Sequence, residues 1–256
     1  MVMQMQQTVV AVLMVSLLTL IGCSTSDQTV RVNGSGVKLD AELARVSEVR
    51  RLLRSACNKL RAAAKAQDSI ALLSEAEIQT EEALTKWRSF HETYSDSAPL
   101  TYAAHKDWSS AAHDIETGIH DMLDKIVAKH AAEAFKSCGQ ACGKFVEMNA
   151  VAGLRRTSDV LFRFRKAAKP LAEVLISGNI ARLKQASDEL RKLRDDAMHE
   201  PVGGTGTAEE KRQAMITYSV AVDEFLQAVQ KENVNEVAQS YDRMMKAMEL
   251  TYDIFL

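Results

Sequence analysis

Proline and glycine, the residues that most often interrupt helices, are scarce in this chain: three prolines and eleven glycines occur among its 256 residues. In a helix interior, glycine costs roughly 1 kcal/mol and proline about 3 kcal/mol relative to alanine. Alanine, leucine, lysine, glutamate and arginine, which are good helix formers, are abundant instead. Few helix breakers and many helix formers predict an all-α fold.

An excess of charge of either sign is also missing. Lysine and arginine number 32 and aspartate and glutamate 34, so the formal net charge is −2. A nucleic-acid-binding protein needs a broad basic surface, and the short basic flank at 155–165 is offset by acidic residues elsewhere. We therefore expect no nucleic-acid partner.

Catalytic signatures are absent as well: there is no glycine-rich phosphate loop, nucleophile elbow, ordered Ser/His/Asp set or HExxH motif. One predicted helix carries His113, Glu116, His120 and Asp124 at spacings of three and four, a pattern that could ligate a metal. These side chains fall opposite the apolar face of the helix, which favours a solvated stripe over a metal site. The sequence thus predicts a protein that is not an enzyme.

One long apolar run does occur, at Thr8–Gly22, and Cys23 follows it. The run is shorter than the roughly 20 residues of a membrane-spanning helix, and its length suits the core of a signal peptide. Its end, Leu20-Ile21-Gly22-Cys23, resembles the lipobox of bacterial lipoproteins. The resemblance implies that residues 1–22 are a lipoprotein signal peptide and that Cys23 is lipidated, with palmitate among the expected acyl groups.

The resemblance also implies a location. Ser24, directly after the lipidated cysteine, implies transport to the outer membrane, with the protein facing the periplasm. Because the residues before the apolar run include no lysine or arginine, a membrane anchor that stays uncleaved is the alternative. In both cases the folded part lies outside the cytoplasm, tied to the membrane near Cys23.

Residues 23–38 are polar, contain Gly and Ser, and predict a flexible tether. From Leu39 onward, apolar residues recur every three or four positions, which predicts successive amphipathic helices. The helices predicted first span 39–67, 70–93 and 103–125, and a fourth begins near Ile126 and includes Ala131–Asn149.

The helical pattern then occurs a second time. Leu43–Val49 matches Leu154–Val160 at an offset of 111 (154 − 43), and one deletion sets an offset of 110 that is expected to hold to the end of the chain. We therefore predict two tandem up-down four-helix bundles, 39–149 and 150–256, from an internal duplication of about 110 residues. The predicted N-caps of the second bundle are Asn179, Thr207 (in a capping box with Glu210) and Asn233.

Cysteine is sparse: besides Cys23 the chain has Cys57, Cys138 and Cys142, too few for a disulfide scaffold. Helix Ala131–Asn149 places Cys138 and Cys142 one turn apart on its apolar face. Packing as small buried side chains is one interpretation. A disulfide from Cys57 to either of the other two thiols, or a site for Cu(I) or Zn formed by all three, are the others.

Two segments carry a second resemblance: CGQACGKF, which begins at Cys138, and MELTYDIF, which the offset of 110 places opposite it and which begins at Met248. Their spacing resembles the C-x-x-C-H-x-x-F ending of the last helix in cytochromes c′, exported four-helix bundles with a thioether-bound haem. Ala141 replaces the second cysteine and Cys142 the histidine, and the second segment has none of the three residues. The resemblance therefore implies a haem-free relative, with convergence on the same shape as the alternative, and we expect no cofactor.

These features predict an exported, lipid-anchored, non-enzymatic helical-bundle protein with a binding or structural role at the cell envelope. Cys23 is the predicted lipid attachment site, and Cys138 and Cys142 are the candidate cofactor-binding residues. The alternative is a cofactor protein that takes a soft metal through Cys57, Cys138 and Cys142, or haem, with an electron-transfer or sensing role. The expected partners are the membrane, through the anchor, and a protein or small molecule whose identity the sequence does not specify.

Overall fold

A computed structural model describes residues 34–66, 69–199 and 202–256, and within these ranges the regular structure is helical, without β-strands. The all-α prediction is therefore confirmed. None of the described helices is both long and apolar enough to cross a membrane. The predicted signal peptide, Cys23 and the tether as far as residue 33 lie outside the described residues. The helices are α1 (Gly34–Lys65), α2 (Ile70–Thr93), α3 (Trp108–Val127), α4 (Ala131–Val151), α5 (Thr157–Ala168), α6 (Leu171–Ile176), α7 (Ile180–Met198), α8 (Ala208–Gln230) and α9 (Val234–Phe255), with a short 3₁₀ helix at Leu100–Tyr102.

Helix boundaries agree with the prediction where local side chains cap them. The side chains of Asn179, Thr207 and Asn233 accept hydrogen bonds from backbone N–H groups three residues later, and so cap α7, α8 and α9. Thr207 and Glu210 form the predicted capping box, in which each side chain bonds the backbone of the other. These caps are therefore confirmed. The sequence could predict them because capping depends on neighbouring residues alone.

Three boundaries differ from the prediction. The helix α1 begins at Gly34, so residues 34–38, predicted as tether, are helical, and no proline precedes them to stop the helix from extending. The helix α3 begins five residues later than predicted, because Asp107 caps it and accepts a hydrogen bond from the third backbone N–H after it at 3.3 Å. The single helix predicted after residue 154 is divided into α5 and α6, since Pro170 has no N–H to continue it.

The helices α1 to α4 pack around one hydrophobic core, each against the next and α1 against α4. Aromatic side chains fill its centre: the ring centroids of Trp87 and Phe145 lie 5.1 Å apart in an edge-to-face arrangement, and Tyr102 stacks on Trp108 at 5.5 Å. Both buried indole N–H groups donate to backbone carbonyl oxygens, Trp87 to Ala112 at 2.9 Å. Both indole N–H groups are therefore satisfied within the apolar core.

A second core lies among α5, α7, α8 and α9, where α5 contacts α7 and α9, α7 contacts α8, and α8 contacts α9. Phe164 and Tyr218 meet edge to face at 5.2 Å in its interior. Phe162 on α5 is half-buried and packs against both cores. The second group of helices thus lies directly against the first.

The turns within the two groups are not spaced as the repeat predicts. Lys129, at φ 62°, is the middle residue of the turn between α3 and α4, and Glu232, at φ 58°, is the middle residue of the turn between α8 and α9, a separation of 103 residues (232 − 129). The two turns are therefore seven residues closer together than the offset of 110 predicts (110 − 103). Seven residues make one heptad, close to two helical turns, so the shift leaves the same residues on the apolar face and the apolar pattern cannot reveal it.

This correction changes which residues correspond. With the turns aligned, Cys138 stands opposite Tyr241, not Met248, and the buried Ser137 stands opposite the buried Ser240. With the turns aligned, MELTYDIF begins seven residues beyond the position opposite the start of CGQACGKF (248 − 241).

Buried polar contacts join the two groups of helices. Arg50 of α1 and Asp159 of α5, both almost fully buried, form an ion pair at 2.7 Å. The other carboxylate oxygen of Asp159 accepts from the Asn149 side chain at 2.8 Å, and Asn149 in turn accepts from Tyr102 at 2.9 Å. Because removing one member would leave a buried charge unpaired, this network fixes how α5 sits on α1 and α4.

A second set of contacts lies beside the first. Arg54 pairs with Glu249 and, at 2.6 Å, with Asp253, both on α9. Arg61 and Arg165 also pair with Glu249, at 3.2 and 3.1 Å. Burial alone would raise the pKa of Glu249, but the charges of Arg165 and Arg54 outweigh it and lower that pKa. Glu249 is thus the shared acceptor at the junction.

Candidate functional site

The three cysteines outside the predicted lipid site meet at this junction. Cys57 of α1 and Cys138 and Cys142 of α4 have sulfur atoms that all lie within 4.8 Å of one another. Cys57 and Cys138 are at disulfide distance, with Cα atoms 5.9 Å apart, inside the usual range for a disulfide. Of the interpretations left open by the sequence, this distance fits a Cys57–Cys138 disulfide with Cys142 as a buried free thiol, and the proximity of all three sulfur atoms also fits a metal site.

Cys142 is not set up as a nucleophile. Burial raises the pKa of its thiol, and the nearby positive charges of Arg50, Arg165 and Arg54 offset this only in part. A reactive cysteine needs a lowered pKa, because the thiolate is the attacking species. The Cys142 thiol therefore stays protonated at neutral pH.

These residues do not fit the covalently bound haem that cytochromes c′ carry. Covalent attachment needs two free thiols spaced as C-x-x-C and an axial ligand, usually histidine. Here the Cys138 sulfur lies against Cys57, Ala141 has no thiol, and Cys142 stands at the histidine position. The expected lack of a covalent haem remains a prediction, which the absorption spectrum of the purified protein tests through the haem Soret band.

A cleft of about 590 Å³ opens beside the cysteines, between α4 and α5, with α1 and α9 contributing to its walls. Its volume lies in the range of small-molecule sites. Phe135 and Phe162 give it apolar walls, and Tyr252, whose pKa burial raises to about 12, lies beside them as a neutral phenol. The cations that line it are Arg54, Lys136, Lys144, Arg165, Lys166 and Lys169, against the one acid Glu147.

Gly139 and Gly143 give the α4 wall of the cleft its shape. They lie one turn apart in the middle of the helix, where each costs roughly 1 kcal/mol relative to alanine. Packing within the protein does not require them: a Cβ at Gly139 would meet nothing within 4 Å, and one at Gly143 would touch only Phe162, at 3.9 Å. Both glycines therefore keep space open in the cleft at a cost in helix stability.

The positive charges in the cleft are only partly neutralised. Arg165 pairs with Glu249, and Lys144 pairs with Asp114 at 3.2 Å. Lys136, Lys166 and Lys169 make no ion pair with any described residue. The cleft therefore carries an excess of positive charge.

Arg54 leaves a donor unused at the same place. The residue is 6% exposed and lines the cleft, and its Nε and Nη2 donate to Asp253 and Glu249. Its remaining nitrogen, Nη1, is buried without a hydrogen-bond partner among the described residues. A buried guanidinium donor without a partner costs free energy, and because Nη1 is enclosed by protein atoms it is not open to a ligand in the cleft.

The other candidate residues do not converge on a site. Glu116 accepts from Arg88 at 2.7 Å, and the exposed His120 contacts Asp124 at 3.1 Å, as expected for a solvated stripe. His113 lies 3.5 Å from the Thr117 hydroxyl, one turn further along the same helix. The metal ladder on α3 is thus a set of surface pairs.

Sequence reasoning found the cysteines and missed the cleft. Phe162 and Arg54 come from segments that were assigned to separate bundles, and only the docking of the two groups brings them together. The available signal was local: Gly139 and Gly143 each follow a cysteine in CGQACG, and two glycines one turn apart are unusual inside a predicted helix because glycine destabilises it. Comparison with known proteins adds no relative, since no family model, curated protein or solved structure matches the chain.

Proposed function

We propose that this chain is a lipid-anchored, non-enzymatic protein of the bacterial cell envelope that binds a small molecule in the cleft beside Cys57, Cys138 and Cys142. The observation that carries the proposal is the cleft itself, whose glycine wall is costly to the helix and unexplained by packing. The lipobox at Cys23 supports the anchor, and the disulfide distance between Cys57 and Cys138 suits an oxidising compartment outside the cytoplasm.

For the architecture, we propose two tandem four-helix bundles that arose by duplication. Support comes from the two closed sets of helix contacts, the left-handed residues Lys129 and Glu232 at equivalent turns, and the matching buried serines Ser137 and Ser240. A haem-free relative of cytochrome c′ would have this form, although the second bundle has lost the motif.

Binding, not catalysis, is the role that the lining residues favour. General acid–base catalysis needs a group that exchanges protons near neutral pH. Tyr252 and Cys142 have raised pKa values and stay protonated, and Glu147 lies 3.7 Å from Lys144. The residues of the cleft can therefore hold a ligand, but they offer no acid and base pair to transform it.

The proposal can be tested on full-length protein extracted from its own membrane and analysed by native mass spectrometry. We expect a non-covalent adduct of small-molecule size on the wild type and its loss in Gly139→Leu, whose side chain enters the cleft without meeting protein atoms at its Cβ. Ser109→Leu, at an exposed position on α3, is the matched control and should retain the adduct. An adduct that persists in Gly139→Leu, or no adduct on the wild type, contradicts the proposal.

A second candidate function is favoured by one observation, the mutual proximity of the three sulfur atoms. Ligands of a tetrahedral Zn site with Zn–S bonds of 2.3 Å lie about 3.8 Å apart, and thiolates also suit Cu(I). The described residues offer no fourth ligand within the group, which favours Cu(I) over Zn. Because the metal and the disulfide compete for Cys57 and Cys138, this site would form only after reduction.

The metal candidate has its own test. After reduction and under anaerobic conditions, the protein should bind one Cu(I) per chain, whereas the oxidised protein and the reduced Cys142→Ala variant should not. Titration against a chromogenic Cu(I) chelator measures this directly. Equal binding by the oxidised protein, or by Cys142→Ala, excludes the three-sulfur site.

A further inference from the structure

We infer that the cleft selects an amphiphilic anion: a phosphate or carboxylate group attached to an apolar body of small-molecule size. This inference rests on the proposed binding function and adds the chemical class of the ligand. Two separate features of the cleft, its charge and its apolar walls, define that class.

The charge points to an anionic group. Six cationic side chains and one acid line the cleft, and three of the lysines have no ionic partner among the described residues. Lys166 lies in the last turn of α5, Lys169 directly follows that helix, and Lys136 faces the same space from α4. An anion placed here would be held by flexible ammonium groups at the cleft mouth.

The wall of the cleft also includes a fixed positive charge. Arg54 is held by Glu249 and Asp253, so its guanidinium stays in place. Its Nη1 is enclosed by protein atoms, so Arg54 attracts an anion through its charge and not through a free N–H. The two acids nearby are already shared among Arg54, Arg61 and Arg165.

The walls point to an apolar body on the same molecule. Phe135 and Phe162 face the cleft from α4 and α5, and Gly139 and Gly143 remove side chains from the surface between them. A flat or slender apolar group could then lie against the helix backbone. The Phe135 ring is also covered by cations, with Lys169 Nζ 5.3 Å from its centroid, so the apolar and anionic parts of a ligand would meet near this residue.

The test uses full-length protein in phosphatidylcholine nanodiscs and isothermal titration with a matched set of probes. 1-Naphthyl phosphate has both parts of the proposed ligand, 1-naphthol has the apolar body alone, and inorganic phosphate has the anion alone. We expect 1-naphthyl phosphate to bind at least about tenfold more tightly than either of the others, a difference of about 1.4 kcal/mol. Its affinity should fall as salt is raised, because the lysines at the mouth are solvent-exposed.

Charge reversal locates the site. The double variant Lys166→Glu/Lys169→Glu should weaken 1-naphthyl phosphate by at least about tenfold. Lys192→Glu/Lys246→Glu makes the same change in net charge at exposed helical positions outside the cleft and should leave the affinity unchanged. Because all variants are measured in identical discs, partitioning of the probes into lipid cancels.

Competition identifies the source of the anion. Displacement of 1-naphthyl phosphate by monomeric dihexanoyl phosphatidic acid supports a lipid ligand, and displacement only by soluble aromatic acids supports a free metabolite. If 1-naphthol binds as tightly as 1-naphthyl phosphate, or if Lys166→Glu/Lys169→Glu has no effect, the anionic class is wrong while a binding cleft remains. If inorganic phosphate matches the naphthyl ester, the apolar part is wrong, and if no probe binds and no adduct co-purifies, the proposed function itself fails.

Discussion

The Cys57–Cys138 disulfide should contribute a large part of the stability of the first helix group. The bond closes a chain segment with a sequence separation of 81 residues. The loop-entropy relation for a cross-link of this length gives about 4.5 kcal/mol at 25 °C, if the reduced unfolded chain has no residual structure. A whole domain is typically stable by only about 5–15 kcal/mol, so the loss should be plain in any unfolding experiment.

Urea denaturation followed by the helical circular-dichroism signal measures this contribution. Reduced wild type and Cys57→Ala/Cys138→Ala should both unfold at lower urea than the oxidised protein, by up to about 4.5 kcal/mol in free energy of unfolding. Cys142→Ala is the control, and its stability should still depend on the redox state, because Cys142 is outside the bond.

Peptide mapping without reduction identifies the bond independently. Trypsin should release the peptide Ser55–Lys59 linked to Ser137–Lys144, and fragmentation should place the link on Cys138 and not on Cys142. Equal stability of the oxidised and reduced proteins, or a link to Cys142, would refute the reasoning.

Two further predictions concern the junction between the helix groups. Asp159→Asn leaves the buried Arg50 without its counter-charge and should cost about 3–5 kcal/mol in urea denaturation, whereas a loss below about 1 kcal/mol would show that the pair is not buried as described. Burial would raise the pKa of Glu249, but Arg165 and Arg54 lower it below 4.5, so its contribution to stability is complete above pH 4.5 and is lost as the pH falls through the folded value. Glu249→Gln should therefore flatten the acid dependence of stability below pH 4.5, and an unchanged acid limb in this variant would contradict the assignment.

Local sequence signals predicted the helices well. The starts of α7, α8 and α9 follow from Asn179, Thr207 and Asn233, because a cap is decided by residues within one turn. The break at Pro170 was equally readable, since proline cannot donate to the helix, and was missed because the repeat favoured one continuous helix.

The register of the repeat could not be obtained from apolar pattern. A shift of seven residues keeps Ile115 or Cys138 on the buried face, so offsets of 103 and 110 place apolar residues equally well along most of a helix. The turns decide between them, and their residues Lys129 and Glu232 have no glycine to mark the left-handed position.

The candidate site was only half accessible from sequence. Helical spacing placed Cys138 and Cys142 on one face, and neighbouring helices made Cys57 a plausible partner, but distance alone could choose Cys138. The cleft depends on how α5 docks against α4, through the buried contact of Asp159 with Arg50 and Asn149. The contact between Arg50 and Asp159 joins residues 109 positions apart, and no local pattern encodes it.

The central claim is that the space beside Gly139 exists for a ligand, and paired measurements on Gly139→Ala test it most directly. Alanine is the better helix former and its Cβ meets no protein atom, so the variant should gain about 1 kcal/mol in free energy of unfolding. The same methyl group narrows the cleft, so the affinity for 1-naphthyl phosphate should fall. A variant that is more stable and binds less well supports the account. A variant that binds as tightly as the wild type contradicts it.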